Sequence, residues 1–302
     1  MNGYFHKAYA QSLSDYGEKI FLNHSKGWIL RRKISNFEYY DGMGIYPLFV
    51  CENWDKLPKD LKEIENELVC FSIVTDPFGN FDKNVLKQEF SEVFIPFKEH
   101  FIIDLSQPIE KNISKHHWRN IKKAQKHILV ERCESIHLIS NEWIKLYKHL
   151  TKVHHIRGIP AFSERALTEQ LEVPGAIVFR GIHNEETAGM LIWYIQNNIA
   201  YYHLGASSEM GYGLKVSFAL FWESINYFSS IGLEWINLGG GAGIGGNGTT
   251  GLVRFKQGWS SGKRLTYFGG KIFNRNKYQE VKRRNKTVNK NYFPVYRSCE
   301  SK

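Results

Sequence analysis

Residues 199–238 read IAYYHLGASSEMGYGLKVSFALFWESINYFSSIGLEWINL, and this stretch decides the fold. Its first seven residues are aromatic and apolar with β propensity. A polar, glycine-bearing segment follows, and residues 213–230 then turn to helical period with Val216, Leu220, Ile225 and Phe228 among the apolar positions. Residues 234–238 return to an apolar strand. Strand, loop, helix, strand is a βαβ-like crossover. Upstream, residues 176–180 and 188–195 read as two more strands, and Gln196-Asn197-Asn198 is a hairpin turn joining the latter to residue 199. Downstream, a glycine-rich segment (residues 239–248) leads into a short helix over 250–258 and a last strand over 263–269. The spacing therefore predicts an α/β core with a mostly antiparallel entry and a single crossover.

The first half is mixed α/β as well. Residues 28–34 are strand-like, 46–51 form a short apolar run, 59–68 carry helical charge patterning, and 69–74 read as a buried strand closed by Asp76-Pro77-Phe78-Gly79. An extended piece over 101–105 precedes a basic amphipathic helix over 109–127 with Ile109, Ile113, Ile121 and Ala124 on one side. This helix is expected to bridge two halves that meet near residues 105–130. Another helix with Trp143, Leu146, Tyr147 and Leu150 ends at Arg157-Gly158-Ile159-Pro160.

Composition bounds the function. The chain has 302 residues, 42% hydrophobic and 23% charged, as a folded protein does. No apolar run approaches the roughly 20 residues of a membrane span, and the first residues lack the apolar core of a secretion signal. Four scattered cysteines without C-x-x-C spacing fit reduced thiols, so a cytoplasmic location is expected. The net charge of +10 is concentrated in two runs, residues 111–132 and 271–302. Such runs attract phosphate, RNA or anionic headgroups, which leaves tRNA and peripheral membrane contact open as partners, although a solvated face is the commoner meaning. The apolar Tyr278, Val281, Tyr292, Phe293 and Val295 imply that part of the basic tail packs back on the first half. His116-His117 and His154-His155 lack the i, i+4 spacing of a metal site, so no metal is expected. No Walker loop, nucleophile elbow or complete dinucleotide fingerprint is present.

Three short stretches share a resemblance. Trp118-Arg119-Asn120-Ile121-Lys122-Lys123-Ala124, Tyr201-Tyr202-His203-Leu204-Gly205-Ala206-Ser207 and Gly251-Leu252-Val253-Arg254-Phe255-Lys256 resemble, in that order, signatures of the Fem-type peptidyltransferases and the BioF2-like acetyltransferases of the GNAT superfamily. The likeness covers much of residues 100–270. It implies an α/β (α+β) chain of two GNAT-like lobes: a degenerate lobe over 1–130, a catalytic lobe over 131–270 and a basic tail over 271–302. It places Lys256 at the reaction centre, Phe255 beside it as a wall, and Tyr202 in the substrate cleft. Asp104 resembles an Asp at the family's domain junction and is a candidate base. Ser207, Gly211 and Gly213 lie in a segment similar to the superfamily's pyrophosphate loop, although Ser208 stands where a Gln or Arg is usual. Arg157 and Lys122 are candidate phosphate contacts of donor or acceptor.

The chemistry these residues suggest is direct acyl transfer to an amine, with Lys256 stabilising the oxyanion. The acceptor expected is an amino sugar, a cell-envelope precursor or a peptide amine. Acyl-CoA is the first expectation for the donor, given the short chain, and aminoacyl-tRNA the alternative. A non-catalytic binding protein on the same fold is the reading from another class.

Overall fold

The structure is a computed structural model that describes residues 1–241, 251–284 and 292–298. In chain order its elements begin with α1 (Lys7–Ser12), β1 (Glu18–Leu22), β2 (Gly27–Lys33), β3 (Tyr40–Gly44), α2 (Leu57–Ile64), β4 (Cys70–Val74) and α3 (Lys83–Glu89). They continue with β5 (Val93–Asp104), α4 (Lys115–Ala124), β6 (Leu129–Cys133), α5 (Ile136–Val153), α6 (Glu164–Leu171), β7 (Ala176–His183), β8 (Glu186–Gln196) and β9 (Ile199–Ser207). Last come α7 (Glu209–Gly213), α8 (Val216–Ser230), β10 (Trp235–Gly239), α9 (Gly251–Gln257), β11 (Gly262–Ile272) and α10 (Arg275–Arg284). Among the described residues no helix is long and apolar enough to cross a membrane.

The chain divides into two compact units. The first holds Met1–Gly3, Lys98–Ile156 and Ser163–Arg264; the second holds Tyr4–Phe97, Arg157–Phe162 and Leu265–Lys302. The division falls inside β5 and inside β11 rather than near residue 130, and α4 belongs wholly to the first unit instead of bridging the two. The lysines of α4 give it the look of a solvated connector in sequence. Its other face buries His117, Asn120, Ile121 and Ala124, and it packs against α8.

In the first unit the sheet order is β5-β10-β9-β8-β7-β6, antiparallel except for the parallel pair β9 and β10. The expected crossover helix is present but broken. Lys215 takes a left-handed conformation (φ 63°), uncommon for a non-glycine residue, and separates α7 from α8. Val216, Leu220, Ile225 and Phe228 of α8 join Ile103, Ile121, Trp193, Ile236 and Trp259 in one buried core.

The second unit has the order β1-β2-β3-β4-β11. Its tail folds inward: Tyr278, Val281 and Tyr296 share a buried cluster with Ile34, Phe37, Val69 and Cys70 of the N-terminal segment. Arg297 fixes this arrangement. Its Nε donates to Asp41 Oδ2 at 2.6 Å and its guanidinium also donates to the Lys33 carbonyl at 3.0 Å, all with little access to water. Breaking one partner of a buried ion pair leaves the other charge stranded. Arg297→Ala is therefore expected to cost about 3 kcal/mol of unfolding free energy in denaturant titration, and removal of residues 292–302 at least as much.

Candidate functional site

The parallel ladder between β9 and β10 is short: Trp235↔Ile199, Ile236↔Ala200 and Asn237↔Tyr201. Beyond that point each strand carries an irregularity. In β9 the register with β8 jumps from Trp193↔Tyr202 to Ile192↔Leu204, so His203 is an extra residue. In β10 the register with β5 jumps from Asn237↔Ile102 to Gly239↔Phe101, so Leu238 is extra. Bulges of this kind re-aim side chains and end pairing. Tyr202 lies just past the last pair on one strand, and the Gly239-Gly240-Gly241 turn lies past it on the other.

Lys256 enters this gap from α9. It is 5% exposed, its ammonium donates to the Gly240 carbonyl at 2.7 Å, and it lies 5.6 Å from the centre of the Tyr202 ring, within cation–π range. Burial, and secondarily the charge of Lys98, lower its pKa to about 7. Lys98 donates to the next carbonyl, Gly241, at 3.2 Å. Tyr202 packs between Trp193 and Phe221, and burial raises its pKa, so its phenol stays protonated. A Cβ on Gly205 would come within 2.4 Å of the Tyr202 hydroxyl, so a glycine is required under the ring.

What aims Lys256 is its own helix, and His117, which carries no site signal in the sequence, seats that helix. Phe255 packs into an aromatic cluster with Phe218, Phe221 and Trp259, and Phe221 in turn touches Tyr202. Its carbonyl accepts from His117 Nε2 at 2.8 Å, while His117 Nδ1 accepts from the Ser114 hydroxyl at 2.8 Å. The carbonyl partner requires a proton on Nε2, and burial lowers the pKa of the ring, which favours the neutral form with Nδ1 as the acceptor. The ring lies against Gly258, where a Cβ would fall 2.0 Å from Cε1. Two adjacent histidines invite only the question of a metal site, and no spacing rule flags one of them as a wedge between helices.

The other candidate residues lie elsewhere. Asp104 Oδ1 accepts from both the Ser106 amide (2.9 Å) and hydroxyl (2.6 Å), a turn at the far end of β5 from His100, about 13 Å along the strand at its ordinary rise. It lines a cleft of about 320 Å³ with Trp235, Lys111 and Lys263. Ser207 is buried at the end of β9. Gly211 is explained by packing, since a Cβ there would fall 2.0 Å from the Ala188 carbonyl; Gly213 meets nothing. Ser208 accepts from the Gly211 amide at 3.1 Å and thereby caps α7 with its own hydroxyl. Lys122 is exposed on α4, and Arg157 is exposed in the second unit. Of the glycine-rich segment 239–248, residues 242–248 lie outside the described residues. His24, Asp60 and Glu63 bring three ligand atoms within 4.8 Å of one another, but both Asp60 oxygens already accept backbone amides, from His24 and Ser25.

No family model matches the chain, and no curated protein matches it in sequence. Solved structures do match. FemX superposes with a TM-score of 0.66 over 91% of this chain and 93% of that one, at 15% identity. The C-terminal domain of a putative lysylphosphatidylglycerol synthetase from Agrobacterium fabrum gives 0.64 over 92% and 89%, at 12% identity. L-PGS from Bacillus licheniformis gives 0.60 over 88% and 87%, at 17%. The fold is the one shared by these three structures. At these identities the likeness speaks for architecture, and the residues must speak for chemistry.

Two outcomes follow from this geometry. Gly258→Ala drives a methyl into the His117 ring, and it should lower the thermal midpoint and loosen α9, read as faster amide exchange at residues 253–257. Lys256→Met should be more stable than the wild type at pH 6. The unfolded chain keeps the lysine proton up to about 10.5 and the folded chain only to about 7, so wild-type folding strengthens as pH rises through that window. The advantage of the variant should be full below about pH 7 and fade towards 10.5.

Proposed function

We propose that the chain transfers an acyl group from an activated ester or thioester to an amine, with the Lys256 ammonium as the group that stabilises the oxyanion. The observation that carries this reading is a nearly dry ammonium, held by one carbonyl and one phenol ring, at the point where two parallel strands part. An amine attacking a carbonyl carbon pushes an electron pair onto oxygen. A cation already stripped of water meets that charge without reorganising solvent. The tetrahedral intermediate then expels the alcohol or thiol as the C–O or C–S bond breaks, and the proton shed by the attacking nitrogen passes to the leaving oxygen or sulfur. Tyr202, protonated throughout, is a second donor for the same oxygen or for the leaving group. No covalent enzyme intermediate is needed, and orientation supplies much of the remaining acceleration.

For the donor, the reading moves from acyl-CoA towards an aminoacyl ester such as aminoacyl-tRNA. Capping of α7 by Ser208 occupies the Gly211 amide that a pyrophosphate would take, and α7 is a single short turn. The matched structures include FemX and a domain of a putative lysylphosphatidylglycerol synthetase. Acyl-CoA stays as the second reading, favoured by the crossover at β9 and β10 and by the glycines of residues 205–213. The acceptor proposed is an amino sugar, a cell-envelope precursor or a peptide amine.

The test pairs charged tRNAs and acyl-CoAs with a panel of such amines. Lys256→Met is expected to lose about a hundredfold in kcat, near 3 kcal/mol, while remaining folded. Turnover close to the wild type removes Lys256 from the mechanism. With the acceptor's own titration divided out, kcat/KM should fall as pH rises past about 7, the sign required of a working ammonium. A rise through the same window would make the free amine the active form and sink the oxyanion role.

A further inference from the structure

Behind Lys256, on the strands rather than the helix, lies a pair of buried polar side chains to which the reaction as drawn assigns nothing. Asn237 is 2% exposed and His100 is 8% exposed, and they face each other across β10 and β5. Asn237 Oδ1 accepts the Gly239 backbone amide at 2.9 Å. A backbone N–H requires an acceptor, so this side of the carboxamide must be its oxygen. His100 Nδ1 stands 3.1 Å from the same atom and so must be the donor. The imidazole is thereby fixed in the Nδ1–H tautomer.

We propose that Asn237 and His100 are positioning residues for Lys256: the Asn237 oxygen, held by two donors, sets the Gly239 turn that presents the Gly240 carbonyl to the ammonium. The inference rests on the reading of Lys256 as the working cation. Three features of the turn support it. Gly239 has a φ of 75°, open to glycine and strained for other residues. A Cβ there would lie 3.2 Å from Lys256 Nζ, so the turn touches the ammonium directly. Successive carbonyls of Gly240 and Gly241 receive Lys256 and Lys98, so a rotation of this turn moves both cations together.

Neutrality of His100 is the second half of the device. Among the described residues, the charged and titratable groups near the ammonium are Lys98 and His100 from β5 and Tyr202 from β9. Burial first, and then the charge of Lys256, hold His100 down at about 3. It therefore adds a dipole and a hydrogen bond without adding a third positive charge beside two lysines. An Asp or Glu in its place would clamp the ammonium; an Arg would expel it.

The test needs no substrate, so its outcome is separate from whether Lys256 proves catalytic. Lysines are labelled with trace acetic anhydride from pH 6 to 11 in the full chain, and the extent at Lys256 is read by mass spectrometry against exposed Lys122. Asn237→Asp should raise the half-labelling pH of Lys256 by about one unit or more, a tenfold change in its protonation equilibrium. His100→Leu, which removes the donor, should speed labelling of Lys256 relative to Lys122 at fixed pH. His100→Gln, which restores a donor to the Asn237 oxygen, should return it towards the wild-type profile. If these variants lose thermal stability while the Lys256 profile stays that of the wild type, the pair is merely structural and the proposal falls. It falls equally if Gln and Leu at position 100 behave alike.

Discussion

Keeping an ammonium out of water is the constraint on which the rest of this site depends. Lysine is among the residues least often fully buried, because the lost hydration must be replaced by fixed dipoles. Here the replacements are the Gly240 carbonyl and the face of Tyr202, and each needs its own support. The carbonyl depends on a left-handed glycine, the phenol on a glycine beneath it, and the lysine stem on a helix pinned by His117. Relaxing any of these would let water or the side chain move, and the pKa would drift back towards that of an ordinary lysine.

The parting of β9 and β10 makes room for this arrangement. Had the parallel ladder continued, the strands would have closed the gap that Lys256 fills. Just past the last pair each strand carries a register shift, β9 against β8 and β10 against β5. In the segment after β9, Ser208 accepts from the Gly211 amide and Gly211 lies tight against the Ala188 carbonyl.

The core around β9, α8 and β10 was legible because its hydrophobic period switches cleanly from strand to helix and back. Lys256 and Tyr202 stand in two of the short signatures, and the structure brings the two side chains together. Other parts were hidden for physical reasons. β3 (Tyr-Asp-Gly-Met-Gly) reads as a turn, since its buried Asp41 makes sense only with Arg297, 256 residues later. β6 is an edge strand with exposed Leu129 and no clear alternation. The contacts of His100 with Asn237 and of His117 with Phe255 join residues 137 and 138 apart, where local spacing carries no signal.

The same long-range pairing dictates an order of assembly. β6, β7, β8 and β9 pair antiparallel with sequence neighbours and can form as soon as each is made. β5, by contrast, is synthesised well before the strand it hydrogen-bonds in this unit, and loop-closure entropy delays such contacts. During translation, then, a chain that has emerged only as far as α8 already holds the meander but exposes the apolar flank of Phe101 and Ile103. That flank is covered by its partner strand only once β10 has followed.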